Sequence, residues 1–272
     1  EAVGLVGESG CGKTMAALAI LGLLPPGARA DSRGIELNGT DISALDAGQR
    51  RALLGREIAM VFQQPGSALD PVFTLGQQIA AVHRRHVRDG RARRAVLEAL
   101  SSVGFEAPED IAGAYPHQLS GGMRQLGMIA MATVCRPSVI IADEPTTALD
   151  VTIQAEIMDL LQELCESDNM GLILITHDLA VVSQVTEKIA VMYAGKIVES
   201  AANQALFENT LHPYTSALLQ SIPDAQKRGH RLQAIPGSVP DAENIPKGCS
   251  FHPRCALAND KCSRETPMTR DY

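Results

Sequence analysis

Gly7-Glu8-Ser9-Gly10-Cys11-Gly12-Lys13-Thr14 is the stretch that decides the fold. It is entered from the apolar run Ala2 to Val6 and followed by a helical pattern from Thr14 to Leu24. The stretch fits GxxxxGK[ST], which background usage makes about a one-in-a-hundred event in a chain of this length. Its glycines let backbone N–H groups turn inward around phosphate oxygens, and the helix start adds its dipole. In that geometry Lys13 reaches the β- and γ-phosphates of a nucleotide and the Thr14 hydroxyl ligates Mg²⁺. Strand, loop and helix stand in the order such a site needs.

Outward from this loop the pattern is α/β. Ile58 to Phe62, Val139 to Ala142 and Leu172 to Ile175 are continuous apolar runs, as expected of parallel strands covered on both faces. Ile153 to Cys165 reads as a helix between the last two, giving βαβ order. Two short hairpins are expected, at Ile35 to Leu37 with Asn38-Gly39, and at Ile189 to Glu199 around Ala194-Gly195. The run Val139 to Ala142 ends in Asp143-Glu144, at the strand edge where open α/β sheets bind ligands. Asp143 is placed there to hold the Mg²⁺ shell and Glu144 to polarise an attacking water. From Thr74 to about Pro137 the periodicity is helical. The arginines at 84, 85, 88, 91, 93 and 94 are expected on a solvated helical face rather than in a binding patch.

Leu119-Ser120-Gly121-Gly122-Met123 resembles the signature motif of ABC ATPases. Gln63 matches that family's Q-loop, Ala148-Leu149-Asp150 its D-loop and His177 its switch histidine, all in the expected order along nearly the whole chain. The resemblance implies a P-loop ATPase core over 1–66 and 136–203, a helical signature subdomain over 67–135, and a C-terminal extension over 204–272. It implies that Gln63 senses Mg²⁺ and that His177 sits at the catalytic edge. It further implies that Ser120, Gly121 and Gly122 cap the γ-phosphate held by an opposing subunit, with Asp150 alongside. ATP would then be sandwiched between two ATPase domains, from a homodimer or a heterodimer. Two transmembrane permeases and an extracytoplasmic peptide-binding protein are the further partners implied, with the chain peripheral on the cytoplasmic face of the membrane. The aromatic residue that stacks on adenine in the family is expected upstream of Glu1, and the opening EAVGLVGESG reads as the middle of a domain.

Composition narrows the class further. The chain has 272 residues, a formal net charge of −7 and 3% aromatic residues, which argues against nucleic acid as a partner. The best apolar run, Met15 to Leu24, stops at Pro25-Pro26, about half of what a bilayer span needs. After about Gln204 the texture is loop-rich, punctuated by Pro223, Pro236, Pro240, Pro246, Pro253 and Pro267. Leu211-His212-Pro213-Tyr214-Thr215, Ser221-Ile222-Pro223, Ile235-Pro236-Gly237 and Pro253-Arg254-Cys255 resemble the tail of oligopeptide, dipeptide and nickel importer ATPases. Three of the six cysteines, Cys249, Cys255 and Cys262, cluster in this tail. Thiolates at that spacing suit a 4Fe-4S cluster better than structural zinc, with the fourth ligand expected outside this sequence, and with reduced thiols or a redox- or metal-sensing tail as the other readings. Nickel import, and a soluble non-transport ABC ATPase, stand as alternatives to peptide import.

Overall fold

The structure is a computed structural model that describes residues 1–147, 149–222 and 234–272. Pro223 and Ala148, both singled out above, lie outside the described residues. In chain order, β1 (Ala2–Val6) leads through the glycine-rich loop into α1 (Lys13–Leu21), and β2 (Glu36–Leu37) and β3 (Thr40–Asp41) form a hairpin. Then come α2 (Ala47–Leu53), β4 (Ile58–Val61), α3 (Pro65–Ala68), α4 (Leu75–His86), α5 (Ala92–Ser102), α6 (Pro108–Gly113) and α7 (Gly121–Thr133). β5 (Val139–Asp143), α8 (Val151–Ser167), β6 (Gly171–Thr176), α9 (Leu179–Val185), β7 (Lys188–Tyr193) and β8 (Lys196–Ala202) complete the α/β pattern. α10 (Asn203–Glu208) and α11 (Pro213–Ser221) follow, and 234–272 is irregular apart from two 3₁₀ turns.

The chain divides into two compact units, one of Glu1 and Met15–Ile173, the other of Ala2–Thr14 and Leu174–Tyr272. In the first, β4 pairs parallel with β5 from Ile58 against Val139, and the strand order is β4-β5-β6. Ile58, Val61, Ile140, Ile141 and Ala142 are buried, which fits their unbroken apolar run. Helices α4 to α7 pack on one another there, α4 starting at a capping box in which the Thr74 hydroxyl accepts from Gln77 N–H. All six arginines of the basic run are exposed.

In the second unit the order is β6-β1-β7-β8, with β1 parallel to β7 and β7 antiparallel to β8. Gly4 of β1 lies under Val182 of α9, so close that a Cβ would fall 2.3 Å from its Cγ1. Three of the chain's scarce aromatics gather here. Tyr193 and Tyr214 have ring centroids 4.6 Å apart, and Phe251 lies 5.2 Å from each.

Two local departures from the sequence reading have clear causes. α1 ends at Leu21 rather than Leu24 because Gly22 takes φ +69 and closes the helix. Leu23 N–H bonds to Leu18 O at 2.8 Å and Gly22 N–H to Ala19 O at 3.1 Å, a Schellman stop. The stretch after Gln204 is more ordered than its prolines suggest. Pro213 occupies the first turn of α11, where its missing N–H costs nothing, and His212 Nδ1 accepts the Tyr214 N–H.

Candidate functional site

The glycine-rich loop closes around the Lys13 ammonium. Lys13 is only 5% exposed, and its Nζ donates to Gly7 O at 2.6 Å and Glu8 O at 3.1 Å, with Cys11 Sγ at 3.9 Å. A buried ammonium held by loop carbonyls is a concentrated positive charge inside a ring of backbone, the arrangement a polyphosphate needs. Gly10 and Gly12 have φ +83 and +106, a backbone that side chains resist. Cys11 N–H bonds to Glu8 O, and Gly195 N–H, at the β7–β8 turn, donates to Cys11 O at 2.8 Å. The Cys11 thiol is buried, and burial raises its pKa, so it acts as a neutral packing group. Ser9 and Thr14 lie exposed at the mouth and at the start of α1. In the same unit His177 is exposed immediately after β6, and the next residue, Asp178, caps α9 by accepting from Ala180 N–H at 2.8 Å.

Within the first unit the structure brings together two residues that the sequence keeps 81 apart. Gln63 Nε2 donates to Glu144 Oε2 at 2.8 Å. Thr147 Oγ1 donates to the same oxygen at 2.8 Å, a contact the sequence did not signal. Glu144 holds φ +45, an uncommon conformation for a residue with a Cβ. Backbone strain of this kind costs about 1–3 kcal/mol and persists where a side chain must be aimed. Asp143 is 2% exposed at the end of β5. Asp143 and the Gln63 amide oxygen in this unit are hard oxygen donors, and so is the Thr14 hydroxyl in the other, the donor type that a divalent cation such as Mg²⁺ takes.

Ser120 stands exposed before α7, and its Oγ accepts from Met123 N–H at 3.2 Å. Gly121 and Gly122 occupy the first turn beneath Leu149 and Ile153, where a Cβ on Gly122 would lie 3.2 Å from Ile153 Cγ2. Asp150 is exposed at the start of α8 and makes no capping bond to it.

The tail leaves one expectation without support and adds a feature. Cys249, Cys255 and Cys262 are not assembled as a metal-holding group. Among the described residues no set of three or more His, Cys, Asp or Glu side chains is so placed. The chain does return on itself, with Cys249 N–H bonding to Cys262 O at 2.8 Å. The Cys262 thiol, however, donates to Asn259 Oδ1 at 3.5 Å. The iron–sulfur expectation thus finds no support among the described residues. The added feature lies at Glu8. Its N–H donates to Tyr214 Oη at 2.9 Å, and its carboxylate takes both arms of Arg254 at 2.8 and 2.9 Å. Tyr214 and Arg254 stood in the sequence only as tail markers. No period or spacing links positions 214 and 254 to position 8.

Comparison with known proteins bears on the family and the fold. The ABC transporter family description matches residues 1–147, and that of the oligopeptide/dipeptide transporter C-terminal region matches residues 198–262. The dipeptide transport ATP-binding protein DppD of Escherichia coli is 48% identical over 270 residues, spanning 98% of this chain and 82% of that protein. The oligopeptide transport ATP-binding protein AppD of Bacillus subtilis is 46% identical over the same shares of the two chains. Among solved structures, the ATP-binding cassette MJ0796, in a dimeric post-hydrolysis state bound to ADP and Pi, superposes with a TM-score of 0.65. It shares 29% identity over 75% of this chain and 85% of that one. The phosphate-binding loop, the acidic strand end and the helix-capping signature serine thus stand on a fold shared with those cassettes, and this chain belongs to the ABC transporter family of ATP-binding cassettes.

Proposed function

We propose that the chain is the ATP-binding and ATP-hydrolysing motor subunit of an importer for oligopeptides or dipeptides. The observation that carries the peptide class is the match of residues 198–262 to the C-terminal region of oligopeptide/dipeptide transporters. In this reading the backbone of residues 7–14 and the Lys13 ammonium hold the ATP phosphates. Thr14, Asp143 and Gln63 would hold Mg²⁺, which when bound spreads the charge of the β- and γ-phosphates. Glu144 accepts a proton from the attacking water, its carboxylate oriented by the Gln63 and Thr147 hydrogen bonds. His177 donates to the γ-phosphate. Ser120, Gly121 and Gly122 cap the nucleotide of a second ATPase subunit, with Asp150 beside them. The segment 67–135 docks two permease subunits at the cytoplasmic face, and an extracytoplasmic binding protein delivers the peptide. No step of this scheme uses the three tail thiols.

Glu144→Gln protein tests the assignment. It is expected to bind ATP, stall before hydrolysis, and retain two multi-span permeases and an ATPase subunit when recovered from detergent-solubilised membranes. Recovery with ribosomal or DNA-repair proteins and no membrane proteins would sink the transport reading while leaving the ATPase reading intact.

A further inference from the structure

The carboxylate of Glu8 belongs to a loop whose task is to hold a polyanion. The Glu8 backbone carbonyl accepts from the Lys13 ammonium, and its side chain sets a negative charge on the same loop. Unopposed, it would repel the nucleotide. Arg254 opposes it with a two-armed ion pair, Nη1 to Oε2 at 2.8 Å and Nη2 to Oε1 at 2.9 Å. Arg254 is itself held in place. Its Nε donates to Pro236 O at 2.7 Å, Nη2 reaches Gly237 O at 3.4 Å, and Nη1 reaches Tyr193 Oη at 3.4 Å. The guanidinium carbon lies 5.8 Å from the Tyr193 ring centre. The side chain of Arg254 is 6% exposed and that of Glu8 29%, so the pair is partly shielded from water. Tyr214, fully buried, takes the Glu8 N–H and fixes the backbone under the same carboxylate.

We propose that Arg254 and Tyr214 are positioning residues for the nucleotide site, with Arg254 neutralising Glu8 so that the phosphate-binding loop presents net positive charge to ATP. The inference rests on the reading of residues 7–14 as the ATP site. It gives the C-terminal extension a direct part in nucleotide affinity, through a residue outside the motif that binds the phosphates. A purely structural bridge would be damaged by loss of either partner. An electrostatic one responds with opposite signs, because removing Arg254 exposes an anion whereas neutralising Glu8 exposes a cation.

The experiment is titration of the full chain with MgATP by calorimetry, with hydrolysis rates and thermal melts measured alongside. Arg254→Met is expected to weaken MgATP binding roughly tenfold, the scale of one charge-assisted contact. Glu8→Gln is expected to tighten it roughly threefold, and the double variant to return within about threefold of the original protein. The Arg254→Met effect should shrink in 0.5 M salt, roughly five times the ionic strength at which charges act over about 10 Å. Arg254→Lys keeps the charge and is expected to bind nearly as the original does, which carries the test if Arg254→Met fails to fold. Weaker binding by Glu8→Gln, a double variant as poor as Arg254→Met, or Arg254→Lys as poor as Arg254→Met would each overturn the inference. An original protein that fails to bind MgATP would instead overturn the ATP-site reading itself.

Discussion

Gly7 is the loop's tightest point. A Cβ there would lie 2.2 Å from Met192 O and 2.8 Å from Cys11 Sγ, and a backbone carbonyl cannot swing aside as a side-chain end does. Gly7→Ala is therefore expected to cost about 1–3 kcal/mol in denaturant unfolding, the usual range for overpacking. It should also abolish ATP binding, because the shift moves the Gly7 carbonyl that holds Lys13. Unchanged affinity in a titration would mean the loop adapts. The residues that make up the motif were readable because chemistry fixes their spacing: a phosphate-wrapping loop needs its glycines and its lysine at set intervals. Thr147, Tyr214 and Arg254 were not readable, since each acts on Glu144 or Glu8 through a contact made only once the chain has folded.

At the scale of the element, the start of α7 combines two tasks in the proposed ATP sandwich. Ser120 Oγ accepts the Met123 N–H, which leaves the hydroxyl proton to be given to a phosphate oxygen. Ser120→Ala should cost about 1 kcal/mol through the lost cap and should abolish ATP-dependent dimerisation in the Glu144→Gln background. Ser120→Asp keeps a good cap and so should keep the stability, but it meets the partner's phosphate with an anion and should also remain monomeric by light scattering with ATP. Dimer formation by Ser120→Asp would remove Ser120 from the interface. The start of α11 is sensitive to pH. Burial lowers the His212 pKa, partly offset by Glu199, and the ring must stay neutral at Nδ1 to accept the Tyr214 N–H. The unfolded chain takes up this proton near pH 6.5, above the folded value, so stability is full above about 6.5 and falls as the pH drops below it. The melting temperature is expected to fall as the pH drops below about 6.5, and His212→Asn, which caps without titrating, should reduce that slope. Strands and hairpins were legible from apolar runs and from Asn38-Gly39 and Ala194-Gly195, whose positive φ values make both two-residue turns. α11 was less so, because proline density signals a break equally well whether a helix ends or begins there.

For the whole molecule, the question is how a chain of this surface works at a membrane. No helix among the described residues is long and apolar enough to cross one, which agrees with the Pro25-Pro26 stop seen in the sequence. The tail is where the sequence reading finds least support, since the spacing of three cysteines fixes how far apart they lie along the chain but not where their sulfurs point. In the proposed assembly, attachment runs through exposed surface that meets the permeases. Phe62, Val72, Phe73 and Tyr115 are large, exposed, and all fall in the stretch from the end of β4 to the approach of α7. Val72 and Phe73 are 69% and 51% exposed, in a connection where solvation alone gives no reason for two adjacent large apolar side chains. In the proposed assembly they meet a permease. The chain is therefore expected in the membrane fraction only when its permeases are co-expressed. A Val72→Asp, Phe73→Asp double variant should leave that fraction while binding MgATP as before. Retention of the double variant would move the docking surface elsewhere on the chain. Loss of MgATP binding together with membrane attachment would mean that the two residues support the fold rather than the assembly.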